Sequence, residues 1–224
     1  MIRSLSVAAA QKHLEPGESL AEILFGLIMT LTFTLAAGLM VREGPEAVRE
    51  LLIATIGCNI SWGIIDGALY ITDRVYERAR LARVGETIRG AGTEGEAEWL
   101  VGQELEDLLG AAGDAADLSD VHRRIARYVR ASTPRPRGVI RADLHGAIAS
   151  FWLVFLASIP AALPFVFIDN AWKALRVSNA ILIFLLFLTG YRWARYTTLR
   201  PWLTGLTLMA VGVVLVTITI ALGG

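Results

Sequence analysis

The sequence predicts an all-α integral membrane protein: five transmembrane helices, with a small three-helix cytoplasmic unit between spans two and three. Three observations predict it. The chain is 54% hydrophobic with a mean hydropathy of +0.53, well above a soluble globular domain. Five apolar runs reach the roughly 20 residues needed to cross a bilayer. Only one long stretch, 73–141, is polar, and its apolar residues recur at helical spacing.

In chain order, the spans are expected at about 20–41, 50–72, 144–168, 174–191 and 202–222. The chain therefore divides into residues 1–73 (amino-terminal segment and spans one and two), 74–141 (the helical unit) and 142–224 (spans three to five). The first helix of the unit, RVYERARLARVGETIRG, places Val75, Ala79, Leu81, Ala82 and Ile88 near one side and is expected to continue the second span. The second, EGEAEWLVGQELEDLLGAA, carries a stripe of Trp99, Leu100, Leu105, Leu108 and Leu109. The third, DLSDVHRRIARYVRAS, opens on an Asp/Ser cap signal and sets Val121, Ile125, Tyr128 and Val129 on one face. GAGTEGE and GDAADLSD separate these helices, and TPRPRG ends the unit. A unit of this size does not stabilise itself easily, so it is expected to pack on a neighbour or a second subunit.

Basic residues near the span ends set the orientation. The connection YRWARYTTLR holds Arg192, Arg195 and Arg200 with no acid, and 73–141 holds twelve arginines, whereas the other two connections mix basic residues with acids. The expectation is a cytoplasmic amino terminus and an external carboxyl terminus, in a cell inner (cytoplasmic) membrane. The amino-terminal 19 residues show no apolar h-region, so no signal peptide is expected.

Several chemistries find no support in the residues. Cys58 is the single cysteine and excludes an intramolecular disulfide. There is no phosphate-binding glycine loop, no serine elbow and no clustered His/Cys set, so an enzyme is not expected. His13, His122 and His145 read as incidental, no nucleic-acid partner is expected, and the lipid bilayer is the expected partner.

The candidate site lies in the first two spans. Glu22 opens the first and is its only charge up to Leu39; Asp66 lies within the second. Intramembrane carboxylates are costly and usually partnered or functional. Glu18, Glu22 and Met29 share one helical stripe, and Asn59, Asp66 and Asp73 another. Because the spans are antiparallel, Glu22 and Asp66 fall in the same half of the membrane, within reach of each other. A divalent cation could take Glu22, Asp66 and the Asn59 amide as oxygen ligands, with the softer Met29 thioether nearby. A proton would use Asp66 or Glu22 as a relay. Structural readings stand beside these. Glu22 can sit at headgroup level and favour the positive end of its helix. Asp66 can accept a hydrogen bond between helices, inside the small-xxx-small pattern Gly63 to Gly67. Met29 and Asn59 can be packing and helix–helix bonding residues, and the acids Glu94, Glu96, Glu98, Glu104, Glu106 and Asp107 a solvated face.

These residues carry a resemblance to the vacuolar iron transporter family. The family's first span reads approximately D-I-I-F-G-L-N-D-G-L-V-T-T-L-A-L-V-A-G-L; here Glu22–Leu39 keeps F-G-L, the threonine-rich middle and A-G-L. Ser61 to Asp66 resembles the family's Ser-Met-x-x-Gly-Glu, and SFWLVFLASIPAALPFVF keeps its proline pairs through Pro160 and Pro164. The resemblance implies a homodimeric exporter that moves ferrous iron, and often manganese, out of the cytoplasm in exchange for protons. The metal would be collected by acids of the soluble unit and passed between spans one and two. Carried over by position, Glu22 and Asp66 match family carboxylates. The sequence also departs from the pattern: Ile28-Met29-Thr30 replaces Asn-Asp-Gly, Trp62 replaces the methionine, and Asp66 replaces glutamate. The first helix of the soluble unit has only Glu77 and Glu86 in place of repeated E-x-x-E pairs.

The expected function is thus a proton-coupled divalent-cation exporter carrying Fe2+ or Mn2+ as its cargo, with no permanently bound cofactor. The alternatives are a non-transporting membrane scaffold on the same fold, or a cation or proton channel lined by Glu22 and Asp66.

Overall fold

The computed structural model describes residues 16–38, 45–109, 115–133 and 138–222. Among them the protein is all α-helix: α1 (Pro16–Gly38), α2 (Pro45–Gly90), α3 (Glu94–Leu109), α4 (Ala115–Ala131), α5 (Arg141–Ala162), α6 (Pro164–Phe167), α7 (Ala171–Ala194) and α8 (Pro201–Ala221). Five of these stretches are long and apolar enough to cross a membrane: α1, α2, α5 with α6, α7 and α8. Two compact units result, one within Met1–Ile71 and Ile140–Gly224, the other Thr72–Val139. The amino-terminal segment with His13, the first connection (39–44), the break at 110–114 and the proline-rich 134–137 lie outside the described residues, as do the side chains of Leu108 and Leu109.

In the membrane unit, α1 is the central helix. It packs against α5, α7 and α8, and it meets α2 through a Thr30–Asn59 hydrogen bond and an edge-to-face pair of Phe25 and Trp62, 5.7 Å between ring centroids. Its buried Leu27, Leu31 and Leu35 close on Ala161, Leu182 and Leu186. Lipid tails are as apolar as leucine, so burial alone does not drive these helices together; close packing and hydrogen bonds must. Glycines supply the close packing. A Cβ on Gly26 would lie 2.8 Å from the Val154 carbonyl oxygen, so α1 and α5 touch backbone to backbone. On α2, a Cβ at Gly67 would sit 3.0 Å from the Ala147 carbonyl oxygen, and one at Gly63 2.8 Å from the Phe151 ring. The Gly63–Gly67 pattern is thus the seam between spans two and three. Gly190 and Gly205 do the same for α7 and α8.

The third span is interrupted as its prolines require. Pro164 has no N–H to donate and its ring crowds the preceding turn, so the helix breaks at Leu163 and restarts as the short α6. Side chains satisfy backbone N–H groups at the starts of the third and fourth spans: Ile140 N donates to Asp143 Oδ2 at 2.8 Å, and Lys173 N to Asn170 Oδ1 at 2.9 Å.

In the helical unit, α2 continues without interruption to Gly90, as its first helix was expected to. The core is built from Ile88, Ala91, Ala97, Val101 and Ala126, with Val84, Leu100, Leu105, Ile125 and Val129 packed on it. Four residues of the apolar stripes, Leu81, Trp99, Val121 and Tyr128, face outward. Ala91, Ala97 and Ala126 take inward positions instead. The cap signal before α4 is also corrected. The helix begins at Ala115, so Ser119 lies inside it and its hydroxyl donates to Glu98 Oε1 at 2.5 Å. Nor are the acids simply a solvated face: Glu94 pairs with Arg127 (2.5 Å), Glu98 with Arg123 (3.3 Å) and Glu104 with Arg80 (2.5 Å), each between helices.

Candidate functional site

The helical register of α1 against α2 decides which polar residues meet. Glu22 lies level with Asp66, and Thr30 with Asn59, as two antiparallel helices require. The Glu22 carboxyl lies close enough to Asp66 and to Ser150 of α5 to interact with both. The Ser150 hydroxyl in turn donates to Asp66 Oδ2. Both acids are half-buried, and Ser150 is fully buried. Glu18 lies one turn before Glu22 on the same stripe. Neither apolar stretch that holds the pair, 22–39 or 51–72, contains a lysine or arginine.

Two of the four expected ligands therefore come together, and two stand apart. Asn59 is seven residues from Asp66 along α2, about 10 Å at helical rise, and is wholly buried. Its Oδ1 accepts from Thr30 Oγ1 at 2.9 Å, and its Nδ2 donates to the Thr55 carbonyl at 2.8 Å. An amide in that position is a tie between helices, since leaving it unpaired in an apolar interior would be costly. Met29 is likewise seven residues from Glu22 along α1. Among the described residues no group of three or more His, Cys, Asp or Glu is gathered as for a metal ion. What the structure offers a cation is a two-carboxylate mouth with a serine oxygen.

Reading the sequence alone missed Ser150, Thr30 and Thr34. Hydroxyls are cheap in membrane helices because they can bond to their own helix, so a lone Ser or Thr in an apolar run carries little signal. Thr30 and Thr34 do bond back, to the Gly26 and Leu31 carbonyls, but each also reaches a neighbouring helix, Thr30 to Asn59 and Thr34 to Asn179. A spacing of four between two threonines in one apolar span was the one available clue.

The arrangement can hold positive charge. Two carboxylates this close repel unless a proton or cation lies between them. Either occupant satisfies the same oxygens.

A family model described as the VIT family matches residues 71–224, from the end of the second span through the last. No curated protein matches the chain. The matched region contains the helical unit and spans three to five, including Ser150, but none of Glu22, Met29, Asn59 and Asp66. With five membrane-crossing helices and that match over most of its length, the chain belongs to the vacuolar iron transporter (VIT) family, a family of metal-ion transporters of the membrane.

Proposed function

We propose that this protein moves a divalent cation, Fe2+ or Mn2+, out of the cytoplasm in exchange for protons, and that the Glu22–Asp66 pair is where the two compete. The observation that carries the proposal is the close carboxyl pair itself, with Ser150 bonded to Asp66, standing in apolar stretches without a basic residue. When a cation binds, the shared proton must leave; when a proton returns, the cation loses its ligands. That mutual exclusion is the physical requirement for antiport.

Beyond the pair, packing closes the side of α1 that faces α5. Between the levels of Glu22 and Thr30, Gly26 lies so close to the Val154 backbone that one added methyl would overlap it. A path there must open and close with helix movement. The expected assembly is a homodimer in the cytoplasmic membrane, amino terminus inside.

Proteoliposomes loaded at low internal pH test this reading. Mn2+ or Fe2+ should enter while an internal dye reports proton loss, and Asp66→Ala should abolish both fluxes. Folded protein that moves neither ion would leave the scaffold alternative standing.

A further inference from the structure

The connection between α7 and α8 concentrates charge of one sign. Arg192, Arg195 and Arg200 fall within nine residues and are all exposed, and no aspartate or glutamate occurs after Asp169. Among the described residues none of the three guanidinium groups has an acid partner. The helical unit does the opposite: Arg80, Arg123 and Arg127 each meet a glutamate of another helix.

Helix packing brings two of these arginines to one height. A Cβ on Gly190 of α7 would lie 2.9 Å from the Thr204 carbonyl oxygen, and one on Gly205 of α8 3.0 Å from the Phe187 carbonyl oxygen. Arg195 stands five residues after Gly190, and Arg200 five before Gly205. In antiparallel helices equal steps reach equal heights, so both lie about 7.5 Å beyond the glycine contact. On the membrane side of them, α7 and α8 share a cluster of Phe187, Tyr191 and Trp202, with ring centroids 5.4, 5.7 and 6.2 Å apart. Phe187, Tyr191 and Arg195 follow one another at intervals of four, so Arg195 continues the stripe that meets Trp202.

A bias of basic residues sets orientation by number alone. It does not require two of them level above a wall of rings. A guanidinium presents paired N–H donors that match two oxygens of one phosphate, and basic clusters at the end of a span attract anionic headgroups. Tyrosine and tryptophan favour the depth just beneath, between headgroup and acyl chain. A free phosphate would use the arginines and leave the rings idle; a phospholipid uses both. Of the five spans α8 is also the least buried, so lipid supplies much of its surroundings.

We propose that Arg195 and Arg200, with Arg192 beside them and the rings of Phe187, Tyr191 and Trp202 beneath, bind the phosphate headgroup of an anionic phospholipid. In the orientation proposed above, that lipid belongs to the cytoplasmic leaflet.

Native mass spectrometry of the full chain, released from a neutral detergent, reads retained lipid directly. Phosphatidylglycerol, offered in equal amount with phosphatidylcholine, should be retained in preference to it by about fivefold or more. Arg195→Gln with Arg200→Gln should remove most of that preference, in protein whose single symmetric elution peak shows it folded. Arg83→Gln with Arg130→Gln, the same change of charge on exposed arginines of the helical unit, should leave it intact. Millimolar inorganic phosphate should not displace the lipid. Equal retention of the two lipids by the unmutated protein, a comparison that needs no variant, overturns the site. So does an undiminished preference in the Arg195/Arg200 variant. Displacement by inorganic phosphate overturns the lipid and assigns the arginines to a soluble anion. No ion flux enters this test, so its outcome is independent of the transport reading.

Discussion

The Ser150 hydroxyl donates its hydrogen to Asp66 Oδ2, tying span three to span two at the level where Glu22 of span one faces both. Three helices thus converge on one charged point. Gly63 and Gly67 flank it on α2, and their lack of side chains is what lets α5 come near enough for a serine to reach the acid. Close packing and the functional contact are one feature.

Ser150→Ala tests that tie. It removes one donor from a half-buried carboxyl group, at a cost of about 1–3 kcal/mol. The expected outcome is a lower melting temperature in detergent and metal entry reduced by several-fold. Flux and stability both equal to the unmutated protein would show that Asp66 is oriented without the serine.

Gly26→Ala and Gly57→Ala should differ in sign. At Gly26 the new methyl would lie 2.8 Å from the Val154 oxygen and 3.3 Å from the Ala157 Cβ, whereas Gly57 has nothing within 4 Å. The first forces two backbones apart and should destabilise by about 1–3 kcal/mol. The second should be neutral or stabilising by up to about 1 kcal/mol, from helix propensity alone. Thermal unfolding of the two variants side by side reads the contrast.

Asn59→Leu removes the amide between α1 and α2. Thr30 keeps the Gly26 carbonyl as an acceptor, so no hydroxyl is orphaned. The expected loss is that of one intramembrane hydrogen bond, about 0.6–2 kcal/mol. Because Asn59 stands apart from the carboxyl pair, Mn2+ binding should persist. Loss of Mn2+ binding with the fold intact would instead make Asn59 a ligand.

In the helical unit, the Ser119 hydroxyl bond, followed by the Arg123 pairing, holds the Glu98 carboxyl below its ordinary value of 4.5, outweighing partial desolvation. The folded state therefore binds this proton less readily than the unfolded chain. The resulting stabilisation is fully present above pH 4.5 and is lost as pH falls through the lower folded value. Hydrogen exchange along α3 and α4 should accelerate as the pH is lowered through that window, after correction for intrinsic rates, and Glu98→Gln should flatten the response. An unchanged acid response in Glu98→Gln would assign it to other carboxylates.

The helical unit also shows where sequence patterns mislead. Apolar residues at helical spacing located α3 and α4, because periodicity depends only on local geometry. Which of those residues turn inward depended on how near the helices come. Ala97, Val101 and Ala126 allow an approach that leaves Trp99 and Tyr128 outside. The arginine–glutamate pairs were equally unreadable, since each joins residues at least 24 positions apart.

By itself, the sequence determined the five spans, the helical unit between the second and third, and the two carboxylates within the spans. Hydrophobic run length and the cost of charge in lipid are properties of the chain read locally. Only the tertiary structure decided that Ser150 bonds to Asp66 where Glu22 comes near, that Asn59 accepts from Thr30, and that Thr34 meets Asn179. Those contacts depend on helix register and on glycine-set distances between backbones, which no local spacing contains.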